Sequence, residues 1–279
     1  MAIAPMETGL VFWAEKDPAT HLAHLKSFGL NVCQLGIAPT LNCASTVQAW
    51  KQAIADAGVT VSGAVVTYAG EDYSNLAKVH ETVGFTAPGY AAERIARTKE
   101  ASGFAATLGI TALSCHIGFI PDEPASPLYT ELIGIARGLC DVCATNGQDF
   151  VLETGQESAE TLLHFLTDVQ RPNLRVNFDP ANMVLYGSGD PIAALDLLQT
   201  HVRSVHCKDG TSPEAFGELG TEVALGNGEV NFPAFLSLLK QIGFTGPLII
   251  EREEPNEAQR DADIRLAIER IAQWKQQIA

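Results

Sequence analysis

No run in this 279-residue chain comes near the ~20 apolar residues that a helix needs to cross a bilayer. The opening stretch, "MAIAPMETGLVFWAEKDPAT", has no basic segment followed by a long apolar one. A secretory leader is therefore not expected, and the cytoplasm is the expected location. Basic residues are scarce, 18 Lys and Arg against 33 Asp and Glu, for a formal net charge of −15. A protein that grips duplex nucleic acid displaces counterions with a basic footprint, and this chain globally lacks one. The same anionic character argues against acidic membrane surfaces. Polar, repetitive tracts are missing too, and with 46% hydrophobic residues the chain is expected to fold as one compact domain spanning residues 1–279. Its six cysteines are scattered, which is no disulfide framework. Cys140 and Cys143 form a C-x-x-C inside an amphipathic helical pattern with no second pair, so they read as small core residues rather than a zinc site.

What is present is a rhythm. Short apolar runs recur at residues 8–13, 31–37, 59–68, 110–118, 149–154, 174–179, 202–207 and 247–251. They are nearly all apolar instead of alternating, the pattern of strands buried on both faces of a parallel sheet. Helical patterns separate them. "DPATHLAHLKSFG" opens on Asp17 and Pro18 and stops at Gly29, and "STVQAWKQAIADAG" opens on Ser45 and ends at Gly58. Eight strand–helix units in this length predict an α/β protein of the (β/α)8 TIM-barrel class. An open doubly wound sheet would be expected to show a glycine-rich fingerprint after its first strand, and "VFWAEKDPAT" has none. The longest irregular stretch, 69–89, follows the third strand, where a barrel carries either a substrate-selecting segment or a surface helix.

The strand ends carry the chemistry. Glu153, Asp179, His206 and Glu251 close four successive apolar strands. In a barrel all strand C-termini open on one mouth, so these four converge. Three carboxylates and one imidazole form a ligand set for a hard or borderline divalent cation, Mn²⁺ or Mg²⁺ best, with Co²⁺ or Zn²⁺ as alternatives. Taken singly, a carboxylate at a strand end is also explained as a rim residue in water or paired with a cation such as Arg252 or Lys208.

The motifs "FVLETG", "VNFDPANM", "VHCKDG" and "ALGNGEVNFPAFLSLLKQIGFTGPLIIERE" together resemble the xylose-isomerase-like barrels, specifically the sugar-phosphate isomerase/epimerase group. The resemblance is dense from about residue 149 to 254; before that only the strand–helix rhythm and "CHIG" agree. It implies that Glu153, Asp179, His206 and Glu251 bind one divalent metal, and that Glu153 and Glu251 face the substrate from opposite sides and exchange protons with it. A proton on carbon beside a carbonyl is a weak acid, and a cation on that oxygen stabilises the enediolate left when it departs. Return of the proton to the other face is epimerisation, and to the neighbouring carbon aldose–ketose isomerisation.

Other positions carry two readings. Lys208 either neutralises a substrate oxyanion or pairs with Asp209 or Glu251 at the rim. His116 either holds a substrate hydroxyl or supports the wall. Asn182 stands where the group's sugar epimerases often carry His, and it either bonds a hydroxyl or starts a helix. Trp13 either walls a sugar face or is core. "GNGEVNF" resembles a phosphate-binding loop, but Glu229 would repel an anion, so a tight turn with Asn231 as cap is expected. Glu253 and Glu254 are expected as solvated rim charges.

The expected function is thus a metal-dependent sugar or sugar-phosphate isomerase or epimerase acting on a small carbohydrate; a homo-oligomer is compatible with it. A keto-polyol dehydratase would use the same residues. A zinc apurinic-site endonuclease needs further His and Asp ligands, and a non-catalytic sugar-binding barrel would have no need of both glutamates.

Overall fold

The computed structural model describes residues 3–14, 17–215 and 217–278. In chain order the first half runs β1 (Thr8–Ala14), α1 (Pro18–Ser27), β2 (Val32–Ile37), α2 (Cys43–Ala57), β3 (Thr60–Val66), α3 (Leu76–Thr82), α4 (Ala91–Thr107), β4 (Ala112–Cys115), α5 (Pro127–Thr145) and β5 (Asp149–Glu153). The second half runs α6 (Ala159–Val169), β6 (Leu174–Phe178), α7 (Pro180–Tyr186), α8 (Pro191–Leu198), β7 (Val202–Cys207), β8 (Asp209–Thr211), β9 (Thr221–Val223), α9 (Phe232–Gln241), β10 (Leu248–Ile250) and α10 (Glu257–Gln277).

Eight of the strands close a parallel barrel in the order β1-β10-β7-β6-β5-β4-β3-β2, with β8 and β9 forming a separate antiparallel hairpin. The chain is a (β/α)8 barrel because each short buried strand is followed by a helix that covers its outer face. Leu22, Trp50, Phe104, Leu139, Phe165 and Phe235 sit buried between strands and helices. All six cysteines are free and buried, Cys140 and Cys143 among them on α5. Among the described residues no helix is long and apolar enough to cross a membrane.

Helix starts follow their capping chemistry. Asp17 caps α1 through Ala19 N, with Pro18 in the first turn, as expected. For α2 the expectation needs correcting: the cap is Asn42, whose Oδ1 accepts the Ser45 N–H at 3.0 Å, so Ser45 lies inside the first turn. Asn231 caps α9 as expected. The stretch 69–89 holds α3 and is tied down by two charges, the half-buried Glu71 and the buried Arg94. Glu71 accepts the N–H groups of Tyr68 and Gly84, and the Arg94 guanidinium donates to Gly84 O and Thr82 O.

Two ladders shift register, between Cys33 and Gln34 on β2 and between Val176 and Asn177 on β6. Such irregularities re-aim a side chain locally. Gln34 and Asn177 are both buried polar residues in otherwise apolar strands, and both reach the same imidazole.

Candidate metal centre

Four strands deliver one ligand-type atom each. Glu153 ends β5, Asp179 follows β6, His206 lies near the end of β7 and Glu251 follows β10. His206 Nδ1 lies 3.1 Å from Glu251 Oε2, 3.2 Å from Glu153 Oε1 and 3.5 Å from Asp179 Oδ2. The four ligand atoms all fall within 4.8 Å of one another. Neighbouring ligands around a small divalent cation stand about 3 Å apart when the metal–ligand distance is ~2.1 Å. The spacing fits such an ion.

The donor chemistry fits as well. Asp179 Oδ1 accepts from Ala181 N and Asn182 N, capping α7, while its Oδ2 is buried with no hydrogen bond. On the far side of the imidazole, Nε2 lies 2.5 Å from Gln34 Oε1. An amide oxygen only accepts, so Nε2 carries the hydrogen and the Nδ1 lone pair faces three carboxylates. Asn177 Nδ2 sits 3.1 Å from Nε2, and its own Oδ1 is held by Ser204 Oγ at 2.6 Å. A lone pair and three carboxylates aimed at one point repel one another unless a cation or proton sits among them.

The charge balance follows. Burial would lower the His206 pKa, but Glu251 and Glu153 raise it well above the ordinary imidazole value. Burial would raise Glu251, yet Lys208 and His206 hold it well below the usual carboxylate range. Glu153 is lowered too, with His206 and His116 outweighing its burial. Asp179 moves the other way, raised because burial dominates.

The remaining candidates distribute around this centre. Asn182 Nδ2 donates to Glu153 Oε1 at 3.2 Å, and it lies in the first turn of α7. His116 Nε2 is 3.9 Å from Glu153 Oε1, close enough to act on its charge. Lys208 is buried, its Nζ 3.3 Å from Glu251 and 3.4 Å from Glu253. It does not pair with Asp209, whose carboxylate is occupied by backbone N–H groups. Arg252 is not a partner of Glu251 either; it binds Glu222, Glu254 and Asp263.

Above the centre opens a cavity of about 510 Å³, walled by Trp13, Tyr73, Tyr186 and Leu219 among others. Trp13 is 39% exposed and belongs to this wall rather than to the core. It lies across Gly36: a Cβ there would come within 2.3 Å of the indole. Glu71 and Tyr73 bring the segment 69–89 into the wall, and Tyr73 leans on His116 with ring centroids 5.7 Å apart. Glu253 is a solvated rim charge as expected, its side chain 59% exposed, and it also reaches Lys208 and lines the cavity. Glu254 likewise pairs with Arg252. A second hollow, at the N-terminal end of the barrel near Thr111, Arg203 and Phe244, holds no comparable ligand cluster among the described residues.

Sequence reasoning missed Gln34, Asn177, Ser204, Glu71, Tyr73 and Glu222. For Gln34 and Asn177 a signal was there, since each is a polar residue inside an apolar strand and must find a partner when buried.

Known proteins place this architecture. The family model described as "Xylose isomerase-like TIM barrel" matches residues 22–274. A xylose isomerase domain protein from Planctomyces limnophilus is 38% identical, with TM-score 0.93, covering 98% of this chain and 99% of its own. D-allulose 3-epimerase from Methylomonas sp. shares the fold at 18% identity, TM-score 0.72, over 98% of this chain and 99% of that one. A xylose isomerase-like barrel from Mycobacterium smegmatis, crystallised with magnesium, does so at 18% identity, TM-score 0.67, over 94% and 89%. Among curated proteins none matches the sequence significantly. The barrel, its closure and the match over nearly its whole length make this chain a member of the xylose isomerase-like TIM barrel family.

Proposed function

We propose that the chain is a divalent-metal-dependent sugar isomerase or epimerase, with Glu153 and Glu251 as its acid/base pair. One observation carries the reading: oxygens of Glu153, Asp179 and Glu251 gather 3.1–3.5 Å from His206 Nδ1 at the floor of a barrel-mouth cavity. These four would hold the ion, Mn²⁺ or Mg²⁺ best by their hard donor set. When bound, it supplies positive charge against the oxyanion that develops on a substrate carbonyl. Relatives of the fold support the class: D-allulose 3-epimerase and L-ribulose 3-epimerase act on sugars, and one barrel was crystallised with magnesium.

The side chains divide the work. Glu153 and Glu251 arrive from different strands, and their neighbours favour the ionised form of each, the form that accepts a proton from carbon. Asn182 and His116 steady Glu153, and Lys208 steadies Glu251. For epimerisation one carboxylate removes the proton beside the carbonyl while the other, protonated beforehand from solvent, delivers its own proton to the opposite face; for isomerisation the carboxyl group that took the proton hands it to the next carbon. Trp13 and Tyr73 offer apolar faces to the ring and shield the reacting carbon from water.

The test is metal analysis of purified protein together with a deuterium wash-in screen over tetroses, pentoses and hexoses. Glu153→Gln and Glu251→Gln should each keep the fold and lose exchange by at least about 100-fold, the usual worth of a positioned acid or base. Wild-type exchange in either variant would remove that glutamate from its role.

A further inference from the structure

Tyr73 reaches the cavity from a part of the chain with almost no core of its own. Between residues 72 and 82 the one buried side chain is Val79. So exposed a stretch is not fixed by packing, and segments of this kind open locally at little cost. What holds it is its neck. Glu71 Oε2 accepts the Tyr68 N–H at 3.1 Å, and Oε1 the Gly84 N–H at 3.0 Å. Thr82 Oγ1 accepts the Asp72 N–H at 2.9 Å, and the Arg94 guanidinium donates to Thr82 O and Gly84 O. Arg94 is itself buried between the rings of Tyr68 and Tyr90, 5.5 and 4.7 Å away.

The neck rests in turn on the loop that follows His116. Gly84 has φ +68°, and a Cβ there would come within 2.1 Å of Gly118 N. Beside it, Phe85 N donates to Ile117 O at 2.8 Å. Tyr73 and His116, whose ring centroids lie 5.7 Å apart, therefore share one mount. Glu71 lines the cavity, yet each of its oxygens already accepts a backbone N–H, which turns the carboxylate to the neck rather than to a ligand.

We propose that Glu71 is a positioning residue of this site: by closing the neck of the 71–84 loop it fixes the Tyr73 ring in the cavity wall, and through that ring sets how tightly the cavity holds its ligand. The inference rests on the reading of the cavity as a sugar site and adds a residue to it.

The test is a double-mutant cycle on the Mg²⁺-loaded protein, with ketose affinity read by calorimetry and proton exchange by deuterium wash-in. Tyr73→Ala takes the ring out of the wall. Glu71→Gln leaves one acceptor and turns an NH₂ group on the other N–H, which opens the neck. Each is expected to weaken ketose binding about 10-fold, the size of one lost aromatic contact. Because Glu71 acts through Tyr73, the double variant should also bind about 10-fold more weakly than wild type, where independent effects would multiply to about 100-fold. The Mn²⁺ affinity of Glu71→Gln should equal that of wild type, since the neck holds no ligand of the centre. Should Glu71→Gln not fold, Thr82→Val, which cuts the neighbouring Asp72 N–H bond, takes its place in the cycle. Losses that multiply in the double variant, or wild-type ketose affinity in the neck variant, overturn the inference and leave the acid/base reading standing. Ketose bound by wild type without exchange overturns the acid/base reading, while the cycle still decides the inference. Failure of wild type to bind any ketose overturns both.

Discussion

Gln34 Oε1 lies 2.5 Å from His206 Nε2, across the barrel and 172 residues away in sequence. The contact sets which imidazole nitrogen carries hydrogen and so which one is left to bind a cation. Gln34→Leu keeps the volume but removes the acceptor. We expect divalent-metal affinity to fall about 10- to 100-fold, the usual cost of losing an outer partner of a ligating histidine. Calorimetric titration of Mn²⁺ into the folded variant measures it; an unchanged affinity would mean that Gln34 has no part in the centre.

Metal should also act on stability. An ion at a hundredfold excess over its Kd stabilises the folded chain by about 2.7 kcal/mol. In a chain of this size that is a rise in Tm of roughly 5 °C, reversed by EDTA. The sign of the pH effect follows from His206, which the carboxylates hold protonated well above the ordinary imidazole range. Protons compete with the ion for Nδ1, so the metal-induced rise should be smaller at pH 6 than at pH 8. A melting curve indifferent to Mn²⁺ and Mg²⁺ at millimolar concentration contradicts the site.

Much of this was legible in the sequence, and the reason is specific. Glu153, Asp179, His206 and Glu251 stand at the ends of runs whose apolarity and shortness mark them as strands of a buried parallel sheet. Once the barrel is inferred, topology alone brings them together. Gln34 and Asn177 were harder, because their aim depends on register shifts in β2 and β6 that no residue pattern announces. Trp13 ends a strand like any core residue, and only its place over Gly36 turns it to the cavity. The role of Asp209 depends on folding 226–230 back over it, a long-range closure that local turn chemistry does not specify.

Glu157 gives the fold a pH dependence of its own. It is buried, its Oε2 has no hydrogen-bond partner, and burial pushes its carboxyl up to about 8 from an ordinary 4.5. At low pH both folded and unfolded states hold the proton, so the group is neutral to stability there. Above about 4.5 the unfolded chain ionises while the folded one does not, and stability falls until the pH passes about 8. A carboxyl moved from 4.5 to about 8 sets the loss at roughly 5 kcal/mol. Glu157→Gln should flatten this slope and leave the variant more stable than wild type at pH 8, as read by urea denaturation at pH 5 and pH 8. Equal slopes in the two proteins would show that Glu157 finds a partner in solution.

Gly36→Ala probes the cavity wall without touching a charged group. The new methyl would meet the Trp13 indole at 2.3 Å, while the backbone at Gly36 is ordinary strand and tolerates a side chain. Trp13 is partly exposed and has room to swing outward, so the clash is relieved by ring movement rather than by unfolding. The cost in stability should stay within about 1 kcal/mol. Ligand binding should suffer more, because the displaced indole no longer presents its face to the ring: KM is expected to rise about 10-fold with kcat changed far less. Tryptophan fluorescence reports the movement directly, since Trp50 is fully buried and Trp274 packs on Phe232. A red shift together with the rise in KM places Trp13 in the substrate wall; a shift in emission with KM unchanged would make it a bystander at the rim.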